Sequence, residues 1–215
     1  MLDDWRSGKK RTEAAARRAV VDDLMTLLFA GFETTAATIS WLLYELALHS
    51  DIQLALRNEV QQRMADDPVR YFAADDTLLA MCVFEALRLH PSLPAVIRQA
   101  RKEFELGGIR IHPRDYLVLS VEEMHKHYFG AGGDVFQPER FRTKAQYPKM
   151  ATFGGGTETC PGRAIAVQEA RIVCALLLSY FVFRTTMRTD SRIMRNNVSA
   201  SPRGGMVLSL ERGSV

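Results

Sequence analysis

The stretch Phe153-Gly154-Gly155-Gly156-Thr157-Glu158-Thr159-Cys160-Pro161-Gly162 runs directly into an apolar segment, Arg163–Phe183, that reads as a helix. Its glycines let the backbone turn sharply and pass close to a flat ligand. Cys160 stands just ahead of the helix, where unpaired amides and the positive end of the helix dipole suit an anionic sulfur. A zinc site wants four ligands, and this stretch offers a single cysteine. A lone thiolate can instead act as the one axial ligand of a haem iron. By itself the stretch admits two readings, a structural turn around a cysteine or a ligand loop.

Outward from this loop, glycine and proline divide the chain. Six of the 8 prolines and nine of the 14 glycines lie between Pro91 and Gly162. Residues 1–90 therefore read as helical, 91–162 as a strand and loop region holding the cysteine loop, and 163–215 as a helix followed by terminal strands. From Val20 to about Ser50 apolar residues recur at helical spacing: Leu24, Leu27 and Leu28, then Ala36, Ile39, Leu42, Leu43 and Leu46. A helix apolar on most of its circumference belongs in the middle of a fold. Further helices are expected over Asp51–Ala65 and from about Asp76 to His90, the second stopped by Pro91. Phe104–Leu106 and Ile109–Ile111 flank Gly107-Gly108 as a two-residue hairpin, and Leu117–Val121 and Met206–Leu210 read as strands. The fold class is mainly α with a minor β component, in one unit.

The 215 residues suit one generous domain, and 47% hydrophobic with 25% charged residues is the composition of a packed globular protein. A net charge of +3 gives no field that would call for nucleic acid or a membrane surface. Arg6, Lys9, Lys10, Arg11, Arg17 and Arg18 are interleaved with acids and read as a solvated helix face. Three cysteines, Cys82, Cys160 and Cys174, are too few and too scattered for a disulfide framework and point to a reducing compartment. No signal peptide is visible, and the longest uncharged runs, Thr34–Tyr44 and Ile172–Phe183, fall short of a bilayer span of ~18–20 residues. The expectation is an intracellular, cytoplasmic chain without a membrane segment.

Phe153, Gly156, Cys160 and Gly162 fit Phe-x-x-Gly-x-x-x-Cys-x-Gly, which resembles the haem-binding signature of the cytochrome P-450 family. Three further stretches occur in that family's order. Ala30-Gly31-Phe32-Glu33-Thr34-Thr35 resembles the oxygen-activating turn of its long central helix. Glu85-Ala86-Leu87-Arg88 is similar to its Glu-x-x-Arg helix, and Phe136-Gln137-Pro138-Glu139-Arg140-Phe141 to its Pro-Glu-Arg-Phe segment. The resemblance covers the whole chain as the C-terminal half of the family's fold, a single partial domain over residues 1–215. It implies a long central helix, the Glu-x-x-Arg helix, the cysteine loop and the helix that follows.

The resemblance further implies a haem-thiolate monooxygenase, with haem b as cofactor and electrons from NADPH through a partner reductase or a ferredoxin. Cys160 would be the axial iron ligand, and Phe153, Gly156 and Gly162 would shape the cofactor site. Arg98 would contact a haem propionate; its other reading is an exposed strand arginine. Glu33 and Thr34 would deliver protons for oxygen activation, with Gly31 permitting a local widening of the helix. Glu85 and Arg88, three apart on one helix face, would join Arg140 in a buried cluster that pins the loop leading to Cys160; the plainer reading is a solvated bridge. The apolar Pro91–Ile97 segment would line a pocket for a hydrophobic small molecule of lipid or secondary-metabolite type, with no nucleic-acid partner.

Departures from the family pattern qualify these expectations. Two residues before the cysteine the family usually places Arg or His, whereas Glu158 here would repel a propionate by ~1–4 kcal/mol. Family members normally carry roughly as many residues again before the central helix, and an anchor there would place the protein at the endoplasmic-reticulum membrane. The alternative to a working enzyme is a truncated non-catalytic remnant or a haem-binding module without activity. His125 and His127 share a face only on a strand and are expected to bind no metal.

Overall fold

Thr12 opens the first helix by accepting the amide of Ala15 on its hydroxyl at 3.4 Å. The structure, a computed structural model, describes residues 12–130, 132–143, 146, 150–185, 199–200 and 206–213; Arg6, Lys9, Lys10 and Arg11 lie outside them. Helix α1 spans Glu13–Leu48, 36 residues, beginning earlier than the Val20 expected from apolar spacing. It is buried only from Thr35 onward, where Trp41, Leu42 and Leu46 are 0–2% exposed. Val21, Leu24, Leu28, Phe29 and Phe32 are 56–77% exposed. The expected passage through the middle of a core thus holds for the C-terminal part of α1 alone. Glu33 is the single charge between Asp23 and Glu45, so α1 is long and apolar enough to cross a membrane. Counting uncharged runs missed this, although a partly buried core helix meets the same test.

Helix α2 (Ser50–Asp66) is followed by a short α3 (Pro68–Ala73) that sequence reading missed. Asp66-Asp67-Pro68 stops one helix and starts the next: Asp67 accepts the amide of Arg70 at 3.0 Å, and Pro68 occupies the first turn. Helix α4 (Leu78–Leu89) is capped by Thr77 and by the Glu59 carboxylate, which accepts the amides of Leu78 (2.8 Å) and Leu79 (3.2 Å). Every residue from Leu79 to Arg88 is buried.

Strand β1 (Ala95–Gln99) pairs antiparallel with a later strand, Tyr116–Ser120, and β2 (Phe104–Leu106) pairs with β3 (Ile109–Ile111). Gly107 and Gly108, with φ of +58° and +79°, form the hairpin turn where the sequence places it. Tyr116–Ser120 is β4, one residue earlier than expected, because Ser120 caps α5 (Val121–Phe129) by accepting the amide of Glu123 at 3.2 Å. Helix α6 (Arg163–Tyr180) gives way to β5 (Phe181–Arg184), which pairs with β6 (Ser209–Arg212). The expected helix ran to Phe183 and the terminal strand from Met206. Arg57 ends the helix early by donating to the carbonyls of Leu178 and Phe181, Gln53 both donates to Phe183 O (2.9 Å) and accepts Phe183 N–H (2.8 Å), and the pairing of Arg184 with Ser209 sets the start of β6. The core lies where α1, α2, α4 and α6 meet, with Leu42, Leu46, Val60, Val83, Ala170 and Leu178 wholly covered.

Candidate haem-thiolate site

The loop from Ala151 to Gly162 closes on itself through the backbone. Gly154 N–H donates to Ala151 O (3.0 Å), and Cys160 N–H donates to Phe153 O (2.8 Å). Gly154 and Gly156 have φ of +69° and +63°, a region that favours glycine. At Gly154 a Cβ would also lie 2.7 Å from Glu158 O, whereas at Gly156 it would meet open space. Gly162 caps α6, and the Arg163 guanidinium lies 5.2 Å from the centre of the Phe153 ring.

Cys160 is exposed and lines a cavity of about 320 Å³. Leu87, Leu93, Val96, Phe153, Ala166 and Val167 form its apolar wall; Arg98 and Glu158 supply the charges, and Thr34, Thr35 and Thr38 face it from α1. A single thiol, an apolar wall and two left-handed glycines suit a flat, mostly apolar group held by one axial sulfur. Among the described residues no cluster of ligand side chains offers a competing metal site. Glu158 fits less well, because it adds negative charge beside the residues that would hold an acidic ligand edge.

The other sequence-derived residues divide into two groups. Glu33 is half-buried and is absent from the residues lining the cavity, so the structure does not bring it together with Cys160 as it does Thr34. The Thr34 hydroxyl donates to Ala30 O at 2.7 Å, and α1 runs as unbroken α-helix through Gly31. The expected widening at Gly31 is therefore absent, and the Ala30 carbonyl accepts the Thr34 hydroxyl within an unbroken helix. Arg98 is half-buried on β1 and donates to Ile97 O at 2.9 Å.

The second group sits behind the loop. The Glu85 carboxylate, 0% exposed, accepts Arg88 Nε at 2.7 Å, Arg88 Nη2 at 2.9 Å and Gln137 N–H at 2.8 Å. Arg140 Nε adds an ion pair at 3.3 Å without a directed hydrogen bond. Arg88 also donates to Gly133 O (2.6 Å) and Val135 O (3.2 Å). The cluster thus ties α4 to the segment from Gly132 to Arg140 and is no solvated bridge.

Sequence reading missed a hydroxyl group of contacts in the cavity wall. Thr38 Oγ1 and Ser92 Oγ lie 2.9 Å apart, and each lies 2.9 Å from Thr34 O. Two hydroxyl hydrogens serve these three contacts, fixing the segment after Pro91 to α1. The four-residue spacing of Thr34 and Thr38 was the available signal. His125 and His127 lie on helix α5, so their rings diverge: His125 is 1% exposed, while His127 stacks edge-on with Tyr128.

Fold and loop together define the class: a helical core presenting one cysteine thiol to an apolar, threonine-faced cavity, the layout of a haem-thiolate protein. A family model described as Cytochrome P450 matches residues 2–209. Cytochrome P450 714B2 of Oryza sativa subsp. japonica is 34% identical over 210 residues, 96% of this chain and 39% of that protein. Cytochrome P450 4F12 of Homo sapiens is 34% identical over 168 residues, 74% of this chain and 32% of that protein. Cytochrome P450 714A2 of Arabidopsis thaliana is 29% identical over 204 residues, 91% of this chain and 39% of that protein. The chain belongs to the cytochrome P450 family and spans roughly a third to two-fifths of the length of these relatives.

Proposed function

We propose that this chain is the haem-binding portion of a monooxygenase that inserts one oxygen atom of dioxygen into a hydrophobic small molecule, with electrons from NADPH through a reductase or a ferredoxin. The observation that carries this reading is one cavity lined both by Cys160 and by the threonine face of α1. Haem b, when bound, would supply the iron at which dioxygen is activated. Cys160 would supply the sulfur that holds the iron, Phe153 the wall beside it, and Gly156 and Gly162 the bends of the loop that presents the thiol; Arg98 would offer positive charge to an acidic edge. Thr34 Oγ1, which faces the cavity, would hold a proton there, and Glu33, which lies outside the cavity lining, would be the acid that replenishes it from behind the wall. Glu85, Arg88 and Arg140 hold the loop segment and touch no substrate. Leu87, Leu93 and Val96 favour an apolar substrate. Three free thiols suit an intracellular location.

The exposed apolar face of α1 favours a second reading for the chain by itself, a haem-binding module with negligible turnover. Leaving several Leu- or Phe-sized side chains uncovered forfeits ~1.5–3 kcal/mol each. The experiment is a haem titration followed by reductase-driven turnover, with wild type and Thr34→Ala compared for peroxide formed per NADPH consumed. Cys160-dependent binding with coupled product supports the enzyme, and a rise in peroxide for Thr34→Ala supports its proton role. Binding without product supports the module, and no Cys160-dependent binding refutes both.

A further inference from the structure

We propose that His125, neutral and protonated on Nδ1, is a positioning residue for the Cys160 loop, bridging the end of α4 to the Ala151 amide. Both ring nitrogens are engaged. Nδ1 lies 2.9 Å from Arg88 O, and Ala151 N–H donates to Nε2 at 2.9 Å. A carbonyl can only accept and an amide N–H can only donate, so the two contacts fix the tautomer: a proton on Nδ1 and a lone pair on Nε2.

The position gives this bridge leverage. Arg88 O is among the last carbonyls of α4, which the helix leaves without an internal partner. Thr152 Oγ1 takes the neighbouring one, donating to Leu87 O at 3.2 Å. The entry to the loop is therefore fastened to the end of α4 at two successive residues, Ala151 and Thr152. Ala151 O then accepts Gly154 N–H, and Phe153 O accepts Cys160 N–H. A short run of backbone bonds links His125 to the residue that carries the thiol, while Arg88 holds Gly133 and Val135 from the same helix turn. The one arginine thus fastens two segments to α4, Gly132 to Arg140 through its side chain and the Cys160 loop through its carbonyl.

The ring is buried, with Phe129 edge-on at 6.3 Å between centroids. Burial is the largest influence and disfavours a second proton, as does the Arg88 charge on α4; the hydrogen bond to Arg88 O and the charge of Glu122 on α5 act the other way but do not offset it, so the ring's proton affinity moves down from its ordinary value. Among the described residues of the segment against Nε2, Met150, Ala151 and Thr152 carry no group that titrates. A proton on Nε2 would face the Ala151 N–H donor head-on and open the bridge.

The test compares wild type with His125→Phe, which keeps a ring without nitrogen, and His125→Gln, whose amide offers one donor and one acceptor. Amide hydrogen exchange is read across residues 150–160 in the full chain, and nitrogen NMR of the wild-type imidazole reports the tautomer. Expected are an Nδ1–H tautomer, exchange at Ala151 faster by about tenfold in His125→Phe, and recovery in His125→Gln. An Nε2–H tautomer in wild type would overturn the proposal even if His125→Phe failed to fold. Equal Ala151 protection in wild type and a folded His125→Phe would overturn it independently, and so would a His125→Gln chain no better protected than His125→Phe.

Discussion

Replacing Arg88 by Leu removes the guanidinium from a carboxylate that no solvent reaches. Glu85 would keep only Gln137 N–H and the directionless Arg140 contact, and the carbonyls of Gly133 and Val135 would each lose a donor. Breaking a buried pair from one side costs about 3–5 kcal/mol, against a whole-domain stability of ~5–15 kcal/mol. For a chain of this length that lowers the melting temperature by roughly 6–20 °C. Glu85→Leu strands the positive partner and should cost a similar amount. The double substitution leaves no unpaired charge in the pair, so it should cost no more than either single change. The singles then fail to add by at least the cost of one of them, about 3–5 kcal/mol. Arg88→Lys falls between, since a lysine keeps the charge but not the fork that spans Glu85 and the two carbonyls. Urea unfolding followed by circular dichroism measures all four variants. Single costs below about 1 kcal/mol that simply add would be the behaviour of a solvated bridge, and the assignment of a pinning role to Glu85, Arg88 and Arg140 would fall.

Cysteine chemistry gives a second expectation: a thiol reagent should label Cys160 alone in the native chain. Burial pushes the Cys174 thiol up to about 12 and raises Cys82 well above its usual range, so both should react only after unfolding. Rapid native labelling of all three, read by mass spectrometry, would contradict the core placement of α4 and α6. His125 carries the pH dependence. Its folded proton affinity lies below the ordinary value of 6.5, so the unfolded chain takes up the proton first. Its contribution is present above pH 6.5 and is lost as pH falls toward the lowered folded value. His125→Gln should flatten that slope in urea titrations across the window, and an unchanged slope would refute it. Finally, Glu158→Arg should slow haem transfer to a scavenger protein severalfold, because it replaces a like charge beside the acidic edge with an opposite one. An unchanged or faster transfer rate would show that Glu158 does not face that edge.

The cysteine loop, the Glu85–Arg88 helix and the Gly107-Gly108 hairpin were legible because each is set by neighbours in sequence: φ-positive glycines, a three-residue helical offset, a two-residue turn. The boundaries that shifted were set at long range. Phe181–Phe183 continues the apolar pattern of α6, yet Arg57 and Gln53 from a distant helix claim its backbone and turn it into β5. Helix α5 was hidden differently. Ser120 with Glu123 is an N-cap spacing visible in the sequence, but the preceding Leu117–Val121 run reads as a strand up to and past that cap. The role of His125 depends on Arg88 O and Ala151 N, 37 and 26 residues away, and no local pattern announces it. The exposed half of α1 shows the limit of periodicity: apolar spacing tells which residues want burial and not which neighbours supply it.

The central claim is that Cys160 is the axial sulfur of a haem. The direct measurement is the absorbance of the haem-loaded, reduced, carbon-monoxide-bound chain, since a thiolate ligand moves the main band strongly to the red of a histidine-ligated or unligated haem. Wild type, Cys82→Ala and Cys174→Ala should all show the red-shifted band, and Cys160→Ala should lose it. A red-shifted band that persists in Cys160→Ala, or that is missing from a haem-loaded wild type, would contradict the account.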